Sequence, residues 1–142
     1  MATARPDGSA RGLLNFRSLP LPPGAQTTLY RSGDLTALTA ETARYLSQGL
    51  GISTCVDLRT GEEIRAGGPP AALCAAGVRW VQSPINGPAR SAIAKPRPGP
   101  DAYVRYYLEM LAASWLDFQK ALLAVLRHGR APLVFGCFAG KD

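Results

Sequence analysis

The chain has 142 residues, a length that suits one domain with a single hydrophobic core. Apolar residues make up 46% of it and charged residues 18%, which is ordinary for a soluble globular protein, and no apolar stretch approaches the roughly 20 residues of a membrane-spanning helix. The net charge of +6 favours an anionic partner, but the arginines are scattered without interleaved aromatic residues. We therefore expect neither nucleic-acid binding nor stable membrane insertion.

The beginning of the chain differs in composition from the rest. Residues 1–12 are small and polar, contain Gly and Pro, and lack the apolar segment of a secretory signal, which predicts a flexible N-terminal arm. The folded part is expected at residues 13–142. The three cysteines, Cys55, Cys74 and Cys137, form no CxxC pair, which indicates reduced thiols and a cytoplasmic protein, although secretion without a signal peptide remains open.

Strand and helix signals alternate along the chain. Predicted strands cover residues 29–33, 52–58, 78–81 and 132–135, and predicted helices cover residues 40–48, 62–66, 71–76 and 101–127. Thr39 is the expected N-cap of the first helix, and the last helix is continuous or broken near Ser114. The aromatic stripe of that helix is expected in the core, and residues 86–100 are expected to form a loop. The order predicts an α/β fold with a central, mostly parallel sheet flanked by helices.

Several reactive side chains are well explained by structure alone. Asp57 lies near the end of the second predicted strand and Arg59 follows that strand, and a structural ion pair is favoured over a catalytic role. Cys55 and Cys74 are expected to be buried structural thiols. His128 is the one histidine, and no cluster of ligand-type residues accompanies it, so no metal or other cofactor is predicted.

The last seven residues, GCFAGKD, raise a chemical hypothesis. Cys137 follows the last predicted strand, at the end of a parallel sheet where ligands bind. A thiolate there could attack phosphorus, and the small residues Ala139 and Gly140 would let successive backbone N–H groups surround a phosphate. From these residues alone, a buried structural thiol remains an alternative, and Lys141 and Asp142 could be a solvated pair.

Four segments in this order resemble a known family. They are residues 15–17 (NFR), 29–33 (LYRSG), 56–59 (VDLR) and 137–142 (CFAGKD). The sequence resembles the cysteine-based protein tyrosine phosphatases, in the bacterial branch that includes the mycobacterial secreted phosphatase B and the Listeria lipid phosphatase. The likeness runs from about residue 13 to the end, although Ser18 stands where the family has aspartate.

The resemblance implies a phosphatase-like fold and a phosphoric monoester hydrolase that acts on phosphorylated proteins or phosphoinositides. It implies that Cys137 is the nucleophile, through a phosphocysteine intermediate, and that Asp142 is the general acid or base. Lys141 would add positive charge that favours heavily phosphorylated substrates. The phosphate would be held by main-chain groups of the loop, including Phe138, Ala139, Gly140 and Lys141.

The sequence departs from the family pattern in two places, and both lower the phosphatase activity expected of this chain. Gly136 stands where the family has histidine, and the loop arginine would be residue 143. The chain is therefore expected to be the N-terminal part of the domain, lacking the C-terminal helices, with little or no phosphatase activity alone. It is expected to form an oligomer or to bind a complementing C-terminal segment. The alternatives are a non-catalytic pseudophosphatase, a phosphate- or partner-binding module, or a scaffold on which Cys137 attacks another electrophile.

Overall fold

The computed structural model describes residues 13–86 and 99–138, in which helices cover both faces of one sheet. The strands are β1 (Arg17–Ser18), β2 (Leu29–Ser32), β3 (Thr54–Asp57), β4 (Arg79–Gln82) and β5 (Leu133–Gly136). The helices are α1 (Ala40–Arg44), α2 (Gly61–Gly67), α3 (Ala71–Ala75), α4 (Pro100–Ala113) and α5 (Trp115–His128). The predicted arm at residues 1–12 and most of the 86–100 loop lie outside the described residues.

The sheet has the spatial order β1-β2-β5-β3-β4. β2, β5, β3 and β4 run parallel, and only β1 is antiparallel to its neighbour. Because Ser32 and Asp57 both align with Gly136, the three inner strands end at the same level. This arrangement confirms the predicted α/β fold and brings the chain segments after β2, β3 and β5 together at one edge.

One face of the sheet is covered by α1 and α3. The Thr39 hydroxyl accepts the Thr42 N–H at 3.1 Å, which confirms the predicted N-cap. The chain continues beyond α1 as one turn of π-helix, Tyr45–Gly49. Leu46 on this turn and Leu73 on α3 are fully buried against the sheet, where they help form the larger hydrophobic core. Burial of Leu46 and Leu73 holds the π-helical turn and α3 against the sheet.

The opposite face is covered by α5. Ala124 on this helix packs with Val56 and Leu133 of the sheet. Of the two alternatives for residues 101–127, the structure shows the broken helix: the Ser114 N–H donates to the Met110 carbonyl at 2.9 Å before a new helix begins. The prediction of a buried aromatic stripe is wrong for Trp115, which is 53% exposed. Small residues of α5 make its contact with the sheet, which leaves the large side chains on its other faces.

Large apolar side chains are also exposed on α4, which packs against α5. Val104, Tyr107, Leu108 and Leu111 are all exposed on it. Within residues 13–86 and 99–138, neither of these helices nor any other is long and apolar enough to cross a membrane. The exposed apolar side chains of α4 and α5 lie on the helical layer of this face.

Candidate active site

Cys137 lies directly after β5, the central strand of the sheet. The residues on either side of it are held by main-chain hydrogen bonds from both neighbouring strand ends. The Leu58 N–H donates to the Gly136 carbonyl at 2.8 Å, and the Asp34 N–H donates to the Phe138 carbonyl at 3.0 Å. Cys137 itself is 8% exposed and forms no disulfide. Its position is thus fixed from two sides.

Gly136 is required by the close approach of β2. A Cβ atom at this position would lie 2.7 Å from the Ser32 carbonyl oxygen and 3.1 Å from that of Gly33. Real Cβ contacts below 3.0 Å are essentially never seen, and both obstructing atoms belong to the backbone. The sheet therefore leaves no room for the histidine that the resemblance implies at this position.

A groove of about 360 Å³ opens on the α5 side of Cys137. Its walls are mostly apolar and include Leu58, Phe118 and Phe135, while Cys137 and the exposed Phe138 lie along its lining. The volume is within the range of small-molecule sites in proteins, roughly 300–1,000 Å³. The groove can therefore accept an apolar group next to the Cys137 thiol.

Asp57 at the end of β3 and Arg59 just after it form a buried ion pair, as predicted. Arg59 donates from Nη2 to Asp57 Oδ2 at 2.7 Å and from Nε to Asp57 Oδ1 at 3.0 Å, and both residues are at most 5% exposed. Trp80 Nε1 donates to the same carboxylate at 3.0 Å. Hydrogen bonding to Asp57 raises the pKa of Arg59, although burial opposes this effect. Arg59 is therefore a permanent cation inside the fold.

Asp34 joins this ion pair from the end of β2, and sequence reasoning missed it. Its carboxylate accepts the Thr36 N–H at 2.9 Å and the Thr36 hydroxyl at 2.8 Å, and it lies 3.6 Å from Arg59 Nη1. The sequence did contain a signal, because an aspartate two residues before a threonine, after a strand, is typical of an Asx turn. Asp34, Asp57, Arg59 and Cys137 line one small cavity of about 10 Å³.

The other two cysteines have different environments. Cys55 is buried in β3, as predicted, and burial, aided by the nearby Asp57 charge, raises its pKa to about 12. It remains a protonated thiol at neutral pH and is no nucleophile. The prediction of a buried Cys74 is wrong: the residue is exposed on α3 because Leu73, its neighbour, occupies the inward face.

The described residues cover part of the predicted phosphate site. Cys137 and Phe138 are described, whereas the predicted binding and catalytic residues at 139–142 lie outside the described ranges. The roles of Ala139, Gly140, Lys141 and Asp142 therefore stay predictions. Among the residues that the structure describes, no three His, Cys, Asp or Glu side chains are grouped to hold a metal ion.

These features define a class of protein: an α/β domain with a cysteine at the carboxyl end of its central parallel strand, beside a groove. Residues 9–142 match the tyrosine phosphatase family, and the chain belongs to that family. A comparison with curated proteins gives no significant match. The family match covers nearly the whole chain and indicates phosphatase function in general.

Proposed function

We propose that the protein is a phosphoric monoester hydrolase that forms a phosphocysteine intermediate on Cys137. The proposal is carried by one observation: the Cys137 thiol lies at the end of the central parallel strand, between two anchored residues, with a groove beside it. Ligands of parallel α/β sheets bind at this edge. Family membership supports the same reaction class.

The reaction has two steps. The Cys137 thiolate attacks phosphorus, an S–P bond forms, the P–O ester bond breaks, and the leaving oxygen takes a proton from Asp142. Water then attacks the same phosphorus, Asp142 takes a proton from it, and the S–P bond breaks to release inorganic phosphate and the thiolate. Main-chain N–H groups of residues 138–142 would bind the phosphate oxygens, and Lys141 would add positive charge.

The proposed substrates are phosphotyrosine or other phosphorylated side chains of proteins, or phosphoinositides. The proposed branch is the one that includes the mycobacterial secreted phosphatase B and the Listeria lipid phosphatase, on the register of Cys137, Gly140, Lys141 and Asp142. The apolar groove supports substrates with an aromatic ring, because phenylalanine side chains such as Phe118 and Phe135 line it.

The intermediate can be trapped in the full-length protein. The protein is mixed with an aryl phosphate, quenched in acid, digested, and the cysteine peptides are examined by mass spectrometry for an added phosphoryl group. We expect the group on Cys137 and none on Cys74. Cys137→Ser should abolish the modification and turnover, whereas the matched exposed variant Cys74→Ser should retain both. Full turnover by Cys137→Ser would refute the mechanism.

A second candidate, phosphate binding without hydrolysis, is favoured by Gly136. The histidine of the family pattern would favour the thiolate, and the sheet leaves no space for it. In that case an oxyanion such as tungstate should bind and protect Cys137 from alkylation, although no S–P bond and no turnover would be observed. Protection together with a trapped phosphoryl group would exclude this second candidate.

A further inference from the structure

Three strand ends converge on the segment that carries Cys137. β2 contributes the Asp34 N–H to the Phe138 carbonyl, and β3 contributes the Leu58 N–H to the Gly136 carbonyl. β2 and β3 do not pair with each other, because β5 lies between them. The residues on either side of Cys137 are thus held by the ends of two strands that do not pair with each other. Side chains beyond the end of β5 connect these two strand ends.

Arg59 is the side chain that makes this link. Its guanidinium donates to both oxygens of Asp57, donates to the Gly68 carbonyl at 2.8 Å, and lies 3.6 Å from the Asp34 carboxylate. Arg59 is 4% exposed. A planar group with five donors in a fixed geometry can serve three partners at once, which a lysine ammonium cannot do with the same geometry.

The link borders the Cys137 segment on the side of a second, smaller cavity. The cavity that Cys137 shares with Asp34, Asp57 and Arg59 has a volume of about 10 Å³. That space holds at most about one water molecule. The Arg59 guanidinium is bound to the Asp57 carboxylate and the Gly68 carbonyl, so these donors are engaged within the fold. This cluster can influence the reaction through the position of the Cys137 segment or through its charge.

We propose that Arg59 and Asp34 are positioning residues for the nucleophile. Arg59 holds the Asp34 carboxylate, Asp34 thereby keeps its own N–H on the Phe138 carbonyl, and the Cys137 thiol stays aimed at the groove. The catalytic part of this inference rests on the proposed function. The geometric part, the placement of the thiol, can be measured without any phosphatase reaction.

Other charged groups surround the thiol on the described part of the chain. Asp34 and Asp57 carry negative charge on the side of the small cavity, Arg59 carries positive charge there, and Glu63 on α2 borders the groove with Cys137. A change of charge in this cluster would alter the electrostatic field at the thiol as well as its position. The test variants are therefore chosen so that one of them keeps the charge and the other keeps the shape.

The first variant is Arg59→Lys, which keeps the positive charge and loses the multiple contacts. We expect kcat for an aryl phosphate in the full-length protein to fall roughly 10- to 100-fold, since a displacement of about 1 Å at a reacting group can cost that much. KM should change little, because the cluster does not touch substrate. The matched control is Arg65→Lys on α2, an exposed arginine, which should leave both constants unchanged.

The second variant is Asp34→Asn, which keeps an oxygen for the Thr36 N–H and removes the attraction to Arg59. We expect kcat to fall in this variant too, but by less than in Arg59→Lys. In both variants iodoacetamide should alkylate the buried Cys137 several-fold faster at a fixed pH, because a loosened segment exposes the thiol. The rate at the exposed Cys74, read in the same digest, should not change.

The possible results distinguish a positioning role from a merely structural role and from failure of the proposed function. A merely structural role would lower the urea midpoint and leave the ratio of Cys137 to Cys74 alkylation unchanged. If that ratio and kcat match the wild type in both variants, the positioning proposal is wrong. If the wild type forms no phosphocysteine but the alkylation ratio still rises in the variants, the proposed function fails while the geometric proposal stands.

Discussion

Replacing Gly136 with alanine tests the packing of the central strand against β2. The new Cβ would lie 2.7 Å from the Ser32 carbonyl oxygen, whereas ordinary van der Waals contact begins at 3.4 Å. The obstructing oxygens are backbone atoms, and Ser32 is paired with Gly136 within the sheet, so neither can turn away as a flexible side chain would. Overpacking of this kind costs typically about 1–3 kcal/mol, and the rigid neighbours favour the upper end.

Reduced flexibility of the unfolded chain offsets part of that cost. Gly→Ala stabilises by about 0.4–1 kcal/mol where the alanine fits, so we expect a net loss of about 2 kcal/mol for Gly136→Ala. With a urea slope of about 2 kcal/mol/M, the midpoint should fall by about 1 M. Urea unfolding followed by far-UV circular dichroism measures this shift, and Cys137 alkylation reports the displacement of the adjacent segment.

The matched control is Gly61→Ala at the start of α2. There the Cβ would meet side-chain atoms of Arg65 at 3.4 Å and Asn86 at 3.5 Å, which are ordinary contacts. We expect Gly61→Ala to be neutral or slightly stabilising. If both variants unfold at the same urea concentration as the wild type, β2 does not restrict position 136, and the inference that the sheet leaves no room for a histidine there is wrong. A Gly136→His protein as stable as the wild type would be equally damaging.

Three further predictions concern the rest of the fold. The pKa of Cys55 is raised from 9.0 to about 12 in the folded protein, so the unfolded chain loses this proton first, and stability should fall above pH 9 by about 1.4 kcal/mol per pH unit. Cys55→Val should remove that slope when urea unfolding is compared at about pH 8 and about pH 10; an identical slope would contradict the assignment. Trp80→Phe removes a hydrogen bond to the buried Asp57 carboxylate and should cost about 2 kcal/mol in urea unfolding, whereas Trp115→Phe, at a 53% exposed position, should change stability by less than about 0.5 kcal/mol; equal losses would count against the bond. The exposed apolar face of α5 should cause self-association in light scattering, and Leu126→Glu, at a 76% exposed position, should lower the measured mass; a monomeric wild type would disprove this.

Local signals explain which elements could be predicted from the sequence. Thr39 caps α1 through its own side chain, and the helix break lies at Ser114, where the apolar period is interrupted. Both features depend on residues within one or two turns. β1, by contrast, is a two-residue strand, Arg17–Ser18, that exists because it pairs with Tyr30 and Arg31 of β2. No local pattern predicts such a strand, since its partner strand β2 lies more than ten residues away in the sequence.

The features of the candidate site also fall into those that local sequence predicts and those that depend on the sheet. The position of Cys137 at a strand end follows from the apolar run before it, and the ion pair of Asp57 and Arg59 follows from their closeness in sequence. The contact of Asp34 with Arg59 could not be predicted, because it depends on β5 lying between β2 and β3 and on the register of all three strands. The exclusion of a side chain at Gly136 depends on the same register.

The two cavities beside Cys137 suggest how reactivity and selectivity are divided in the proposed enzyme. Of the two, only the groove has the volume to accept the organic part of a substrate, about 360 Å³ against about 10 Å³. The groove is walled by residues such as Met110 and Phe118 on α4 and α5, whereas the small cavity is walled by Asp34 and Arg59 after β2 and β3. Binding of the leaving group should therefore depend on the helices, and the orientation of the thiol on the strand ends. Since different elements supply these two functions, substitutions in the groove should change KM among substrates, while substitutions around the small cavity should change kcat for all of them.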